Sequence, residues 1–190
     1  MKVHFIVSRP TLENDIEVLR DIIALLNKKG HKLARDWIES AYERQVSARP
    51  TADDWGEIYR DNLAAIAQSD VVIAETTYEN LAVGYQIAVA IHQKKPVLLL
   101  RHVTADKYAF VTGIQDEWVQ HKEYGTKQDA VAAVEKFIDD NDISAKDMRF
   151  NFFIDRQIYN YLRWASFKSG KTKAEIIRSL IEKEIRQDEY

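Results

Sequence analysis

Residues 70–86 read DVVIAETTYENLAVGYQ. The apolar run Val71-Val72-Ile73-Ala74 stops at Glu75, residues 76–80 form a polar turn, and an apolar, small-residue helical segment starts at Leu81. A buried strand, a polar turn and a helix in that order place side chains at the carboxyl edge of an open α/β sheet, where ligands bind. Outward from it, KVHFIVS at 2–8 is a second buried strand, and PVLLL at 96–100 is a third, covered on both faces. Residues 31–37 predict a weaker strand and residues 117–122 an edge strand.

The intervening segments carry helical periodicity. Leu12, Ile16, Leu19, Ile22, Ile23 and Leu26 recur on one face, and Gly30 stops that helix. Thr51 caps a helix with Trp55, Ile58, Tyr59, Leu63 and Ile66 as its apolar face, and Thr126 caps another with Ala130, Val134, Phe137 and Ile138. Residues 38–50 have no clean period and predict a loop or short helix; residues 104–113 predict a short helix. Five strands alternating with helices predict an α/β domain, a doubly wound parallel five-stranded (Rossmann-like) sheet, over residues 1–139.

The chain has 190 residues, 46% hydrophobic and 30% charged, and no cysteine, which excludes disulfides and thiolate metal sites. The start, MKVHFIVSRP, holds too short an apolar run for a signal peptide, and no run reaches the length of a membrane span, so a cytoplasmic protein with no membrane partner is expected. No two of His4, His31, His92, His102 and His121 stand at metal-ligand spacing, and no Gly-rich phosphate loop is present. No metal and no cofactor is expected. The net charge of −3 divides unevenly: residues 149–190 balance at +3 and residues 1–148 at −6. An acidic body with a basic tail points to two modules, the second suited to a polyanion.

Residues 140–147 are polar and read as a linker. After them, RFNFFI at 149–154 reads as a strand, Asp155 caps a helix with Ile158, Leu162 and Ala165, Gly170 ends it, and Thr172 caps a second helix with Ile176, Ile177, Leu180, Ile181 and Ile185. One strand and two helices bury too little alone, and the strand has two open edges; two copies pairing their strands would cure both. The arrangement over 148–190, most specifically GKTKAEIIR at 170–178, resembles the ribbon–helix–helix family of DNA-binding dimers. The resemblance implies a homodimer or higher even oligomer with Arg149, Asn151 and Phe153 facing the major groove. Lys171, Thr172 and Lys173 would meet a phosphate.

In the first module, Tyr59 to Leu63, SDVVIAE at 69–75 and AVGYQ at 82–86 resemble the nucleoside 2-deoxyribosyltransferase-like family, which includes deoxynucleoside monophosphate N-glycosidases. The resemblance covers roughly residues 2–138. It implies a glutamate nucleophile where this chain has Gln86, a helix aspartate where it has Asn62, and a tyrosine where it has His4. Asn80 stands where the family has Ser or Asp. An amide neither attacks an anomeric carbon nor stabilises its positive charge as a carboxylate does. Asp61, Glu75 and Glu79 are the carboxylates that could substitute. A retained pocket would place Asn62 and Gln86 toward the sugar and Ser8, Arg9 and Asn80 toward phosphate of a nucleotide or nucleoside ligand, with Gly84 also lining it.

The expectation is therefore a DNA-binding transcriptional regulator whose degenerate, non-catalytic domain senses a nucleotide. The alternative is an active N-glycosidase or deoxyribosyltransferase dimerised by its C-terminal module. A third reading is an antitoxin-like protein that binds a partner.

Overall fold

A computed structural model describes residues 1–45, 51–105, 110–142 and 151–188. The chain divides into two compact units, Met1–Ile143 and Ser144–Tyr190.

The first unit is built on five parallel strands, β1 (Lys2–Ile6), β2 (Lys32–Leu33), β3 (Val71–Glu75), β4 (Val97–His102) and β5 (Val119–Tyr124), ordered β2-β1-β3-β4-β5. The order reverses beside β1, so the crevice at the carboxyl ends of β1 and β3 is the topological switch point. Helices α1 (Arg9–Asn14), α2 (Ile16–Lys28), α3 (Ile38–Gln45), α4 (Ala52–Gln68), α5 (Leu81–His92) and α6 (Lys127–Asn141) connect the strands. Strand alternation sorts the core into two layers. Val3, Phe5, Val71, Ile73, Leu98 and Leu100 pack with α2 and α6, whereas Ile6, Val72, Ala74, Val97 and Leu99 pack with α4 and α5.

Local chemistry explains the helix ends. Thr51 with Asp54, and Thr126 with Asp129, form capping boxes that satisfy orphan N–H groups at the starts of α4 and α6. Gly30, with φ of +80°, takes the left-handed turn after α2.

Several elements differ from expectation. The single helix expected before Gly30 is two, because Asp15 leaves helical geometry and caps α1 at its C-terminus while α2 starts behind it. The strand expected over 31–37 shrinks to two residues at the sheet edge, where nothing on its outer side pairs with a longer run. The start of the unpatterned region is α3. Of the short helix expected over 104–113, a 3-10 turn covers Phe110–Gly113. The edge strand lies about two residues later than expected, at Val119–Tyr124.

The second unit holds α7 (Arg156–Ser169) and α8 (Lys173–Gln187), which pack on each other. Asp155 caps α7, Gly170 closes it at φ +71°, and Thr172 with Glu175 forms the capping box of α8. The expected strand over 149–154 is not seen in its described part: residues 151–154 are in neither helix nor strand. A strand needs a partner strand, and the partner expected here is that of a second copy, so within one chain the described residues 151–154 stay unpaired. Arg149 lies outside the described residues. Among the described residues no helix is long and apolar enough to cross a membrane.

Candidate active site

His4 lies in mid-β1, opposite Val72 of β3, on the layer that packs with α4 and α5. It is fully buried, and neither ring nitrogen makes a hydrogen bond of ordinary geometry, Gln86 being the polar side chain beside it. Burial holds the imidazole neutral, pushing its pKa from 6.5 down to about 4. Hydrogen bonding with the Gln86 side chain opposes part of that shift, and the Arg35 guanidinium adds to it. So β1, α5 and the segment after β2 converge on one imidazole.

Arg35 extends the cluster to α4. Its guanidinium donates to Asn62 Oδ1 at 2.6 Å through Nη1 and to Asp61 Oδ2 at 3.0 Å through Nη2. With Asn62 Oδ1 engaged by a cation, the Asn62 amide N–H₂ is turned to donate elsewhere. The Arg35 side chain is 20% exposed and Asp61 48%. Gln86 is half-buried, and its Nε2 donates to the Ala82 carbonyl one turn back at 3.2 Å. On the outer side of the same helices, the Tyr59 and Tyr85 hydroxyls meet at 3.1 Å. His4, Arg35, Asp61, Asn62 and Gln86 thus form one polar constellation, with a single ion pair at its rim and no charge at its centre.

A second polar cluster lies on the other layer of the sheet. Glu75 ends β3 fully buried, and its carboxylate accepts from Thr11 Oγ1 at 2.8 Å, the Thr77 N–H at 3.1 Å and the Tyr124 hydroxyl at 3.2 Å. The Thr77 hydroxyl donates to it as well. Ser8 supports the array: its hydroxyl meets Thr11 Oγ1 at 2.8 Å and accepts the Thr11 N–H at 3.2 Å as cap of α1. Burial raises the Glu75 pKa, while its donors, Thr77 and Thr11 foremost, pull it down; burial prevails. The Tyr124 hydroxyl is pushed up by burial and by the nearby Glu75.

The structure therefore separates the sequence candidates. His4, Asn62, Asp61 and Gln86 come together. Glu75 and Ser8 belong to the satisfied cluster, with no acceptor oxygen of Glu75 left without a protein donor. Asn80 caps α5, accepting from the Ala82 and Val83 N–H groups at 2.8 and 3.3 Å. Gly84 lies within α5 with open space where a Cβ would stand. Arg9 pairs with Glu13 on the surface at 2.8 Å, and exposed Glu79 accepts weakly from the Phe110 N–H at 3.4 Å. Arg35 was not singled out from the sequence. Its only signal there is a lone arginine just after a weak edge strand, and its partners are 26 and 27 residues away. No group of three His, Cys, Asp or Glu able to hold a metal occurs among the described residues.

In the second unit, Thr172 opens α8 with a capping box. The Glu175 carboxylate accepts from the Thr172 N–H at 2.7 Å and the Thr172 hydroxyl at 2.9 Å. The Lys173 ammonium lies over the Tyr159 ring, 4.2 Å from its centre, and the Lys171 backbone is tied to Ser166 and Ser169. Asn151 and Phe153 lie in the segment that forms no strand.

No protein-family model matches the chain. Over 82 residues, 43% of this chain and 52% of the relative, it is 34% identical to a Methanosarcina barkeri protein named "Putative 2'-deoxynucleoside 5'-phosphate N-hydrolase 1". A Methanosarcina mazei protein of the same name is 35% identical over 72 residues, 38% of this chain and 45% of the relative. The matched stretch spans about half the length of these relatives. Among solved structures, the Clostridium botulinum CMP N-glycosidase BcmB is similar in fold, with a TM-score of 0.52 over 72% of this chain and 99% of its own, at 16% identity.

These likenesses correct the expected function. The relatives are named as hydrolases of a nucleotide's glycosidic bond, and none as a DNA-binding protein, a regulator or an inactive homologue. The reading as a DNA-binding regulator with a non-catalytic sensor gives way to the enzymatic alternative, and the ribbon–helix–helix resemblance finds no support. What the comparisons carry is an α/β fold similar to that of BcmB and a partial sequence likeness to the two N-hydrolase-named relatives.

Proposed function

We propose that the five-stranded unit is a nucleoside 5′-monophosphate N-glycosidase, which hydrolyses the bond between base and sugar. The observation that carries this reading is the constellation around His4: a buried imidazole beside the Gln86 amide, linked through Arg35 to the Asn62 amide and one ion-paired carboxylate. Its hydrolase-named relatives support it.

The chemistry follows from the groups present. Without a carboxylate at position 86, no glycosyl–enzyme bond forms there, so water attacks the anomeric carbon directly. Asp61, whose second oxygen is left by Arg35, takes the proton from that water. The C–N bond breaks with its electron pair going to the base nitrogen, which collects the proton; the products are free base and sugar phosphate. Gln86 and Asn62 hold sugar hydroxyls through their amides, and neutral His4 donates one hydrogen bond and accepts one.

The experiment is release of free base from a panel of ribo- and deoxyribonucleoside monophosphates, followed by chromatography. Asp61→Asn lowers kcat by about 100-fold or more, the usual size of a lost general base. Gln86→Glu raises turnover by restoring a carboxylate at the anomeric centre. No base release by the wild type or by Gln86→Glu, with the fold intact, defeats the proposal.

A further inference from the structure

Arg35 stands just past the edge strand β2, and its guanidinium is confined on more than one side. It reaches Asn62 and Asp61 on α4, and the Trp37 ring centre lies 5.9 Å from the guanidinium carbon. Trp37 in turn packs on the core layer of α2 and α6. A guanidinium held in this way presents a planar fork, which gives direction as well as charge to the groups it holds.

That direction decides the polarity of the site. Arginine carries donors only, so the Asn62 oxygen faces it and the Asn62 N–H₂ faces away. Left alone, an asparagine amide turns over, because its terminal torsion is broad and roughly two-fold. Gln86 is fixed in the opposite sense. Its Nε2 donates to the Ala82 carbonyl, which only accepts, and its oxygen is left as the acceptor beside His4. One amide therefore offers donors and the other an acceptor, each for a reason outside itself.

We infer that Arg35 is a positioning residue that holds Asn62 as a hydrogen-bond donor, so that the ligand group set against Asn62 is an acceptor, a sugar hydroxyl oxygen. The inference rests on the proposed reading of this constellation as a nucleoside monophosphate site. Arg35 acts through Asn62 without touching the ligand, and its fork is needed, not its charge alone.

The test is calorimetric binding of the panel of nucleoside monophosphates to the full chain and its variants. Arg35→Met and Asn62→Ala each weaken the tightest binder about 5- to 10-fold, the scale of one lost hydrogen bond. Because one residue acts through the other, the double variant loses no more than the weaker-binding single variant. Arg35→Lys keeps the charge without the fork and falls with Arg35→Met. Arg20, which ties α2 to α3 through Glu39 at 2.8 Å, is the control: Arg20→Met leaves affinity unchanged. A merely structural Arg35 lowers stability but leaves the Asn62→Ala factor the same with and without it. That multiplicative result, or full affinity in Arg35→Met or Arg35→Lys, overturns the inference. Binding and coupled losses without base release sink the hydrolase reading and leave Arg35 its role. Base release with independent losses sinks the inference alone, and a wild type that binds no monophosphate overturns both.

Discussion

Glu75, at the end of β3, and His4, in the middle of β1, are equally removed from solvent, yet the chain surrounds them differently. Glu75 collects four protein donors from α1, the loop after β3 and β5; His4 has only the Gln86 side chain beside it and no hydrogen bond of ordinary geometry. A buried polar group with every partner in place ties elements together. One with few partners leaves hydrogen-bonding capacity for another group. The difference sorts the candidates by role: Glu75 ties α1, β3 and β5 together, whereas the constellation around His4 is the one on which the proposed function rests.

The largest expected effect is on stability at Glu75. Glu75→Ala leaves Thr11, Thr77 and Tyr124 donors buried without an acceptor and lowers unfolding free energy by about 3–5 kcal/mol. Chemical denaturation of the full chain measures it; a loss under ~1 kcal/mol would erase the contrast with His4.

The two groups also respond to pH with opposite signs. The folded-state pKa of His4 is depressed from 6.5 to about 4, so its contribution is present above pH 6.5 and lost as pH falls toward 4. That loss is worth about 3 kcal/mol. Glu75 is raised above its ordinary 4.5, so its contribution is full below pH 4.5 and lost as pH rises through the folded value. Stability–pH curves of His4→Phe and Glu75→Gln should therefore diverge from wild type in opposite directions between pH 4 and 6.5. Curves that shift the same way would mean that one environment has been misjudged.

Smaller effects refine the comparison. Thr11→Val removes one donor to Glu75 and one partner of Ser8, and should cost about 1–2 kcal/mol of unfolding free energy. His4→Phe should change stability at pH 7 by less than ~1 kcal/mol, because no hydrogen bond is lost. The same substitution should weaken nucleoside monophosphate binding about tenfold, read by calorimetry. Unchanged affinity would show that His4 does not touch the ligand.

Much of the architecture was legible along the chain. The apolar runs of β1, β3 and β4 announce strands covered on both faces, and β-branched residues lead β3. The caps at Thr51, Thr126, Asp155 and Thr172 and the glycines at 30 and 170 are local devices, decided within a few residues, so sequence suffices for them. The C-terminal strand is a different case. Its expectation rests on a partner strand from a second copy, which no local signal supplies, and within one chain residues 151–154 stand unpaired.

The site divides in the same way. Sequence by itself determined which residue types stand at the crevice: His4 on a strand, Asn62 and Asp61 on one helix and Gln86 on the next, with no carboxylate at position 86. Tertiary structure alone decided which of them meet. Arg35 joins Asp61 and Asn62 across 26 and 27 residues, and Thr11 and Tyr124 reach Glu75 across 64 and 49. Parallel strands bring such distant residues together only when their crossover helices have packed. Before that, Glu75 and Asp61 are two equivalent carboxylates; afterwards one is buried and fully bonded while the other stands at the rim with an oxygen to spare.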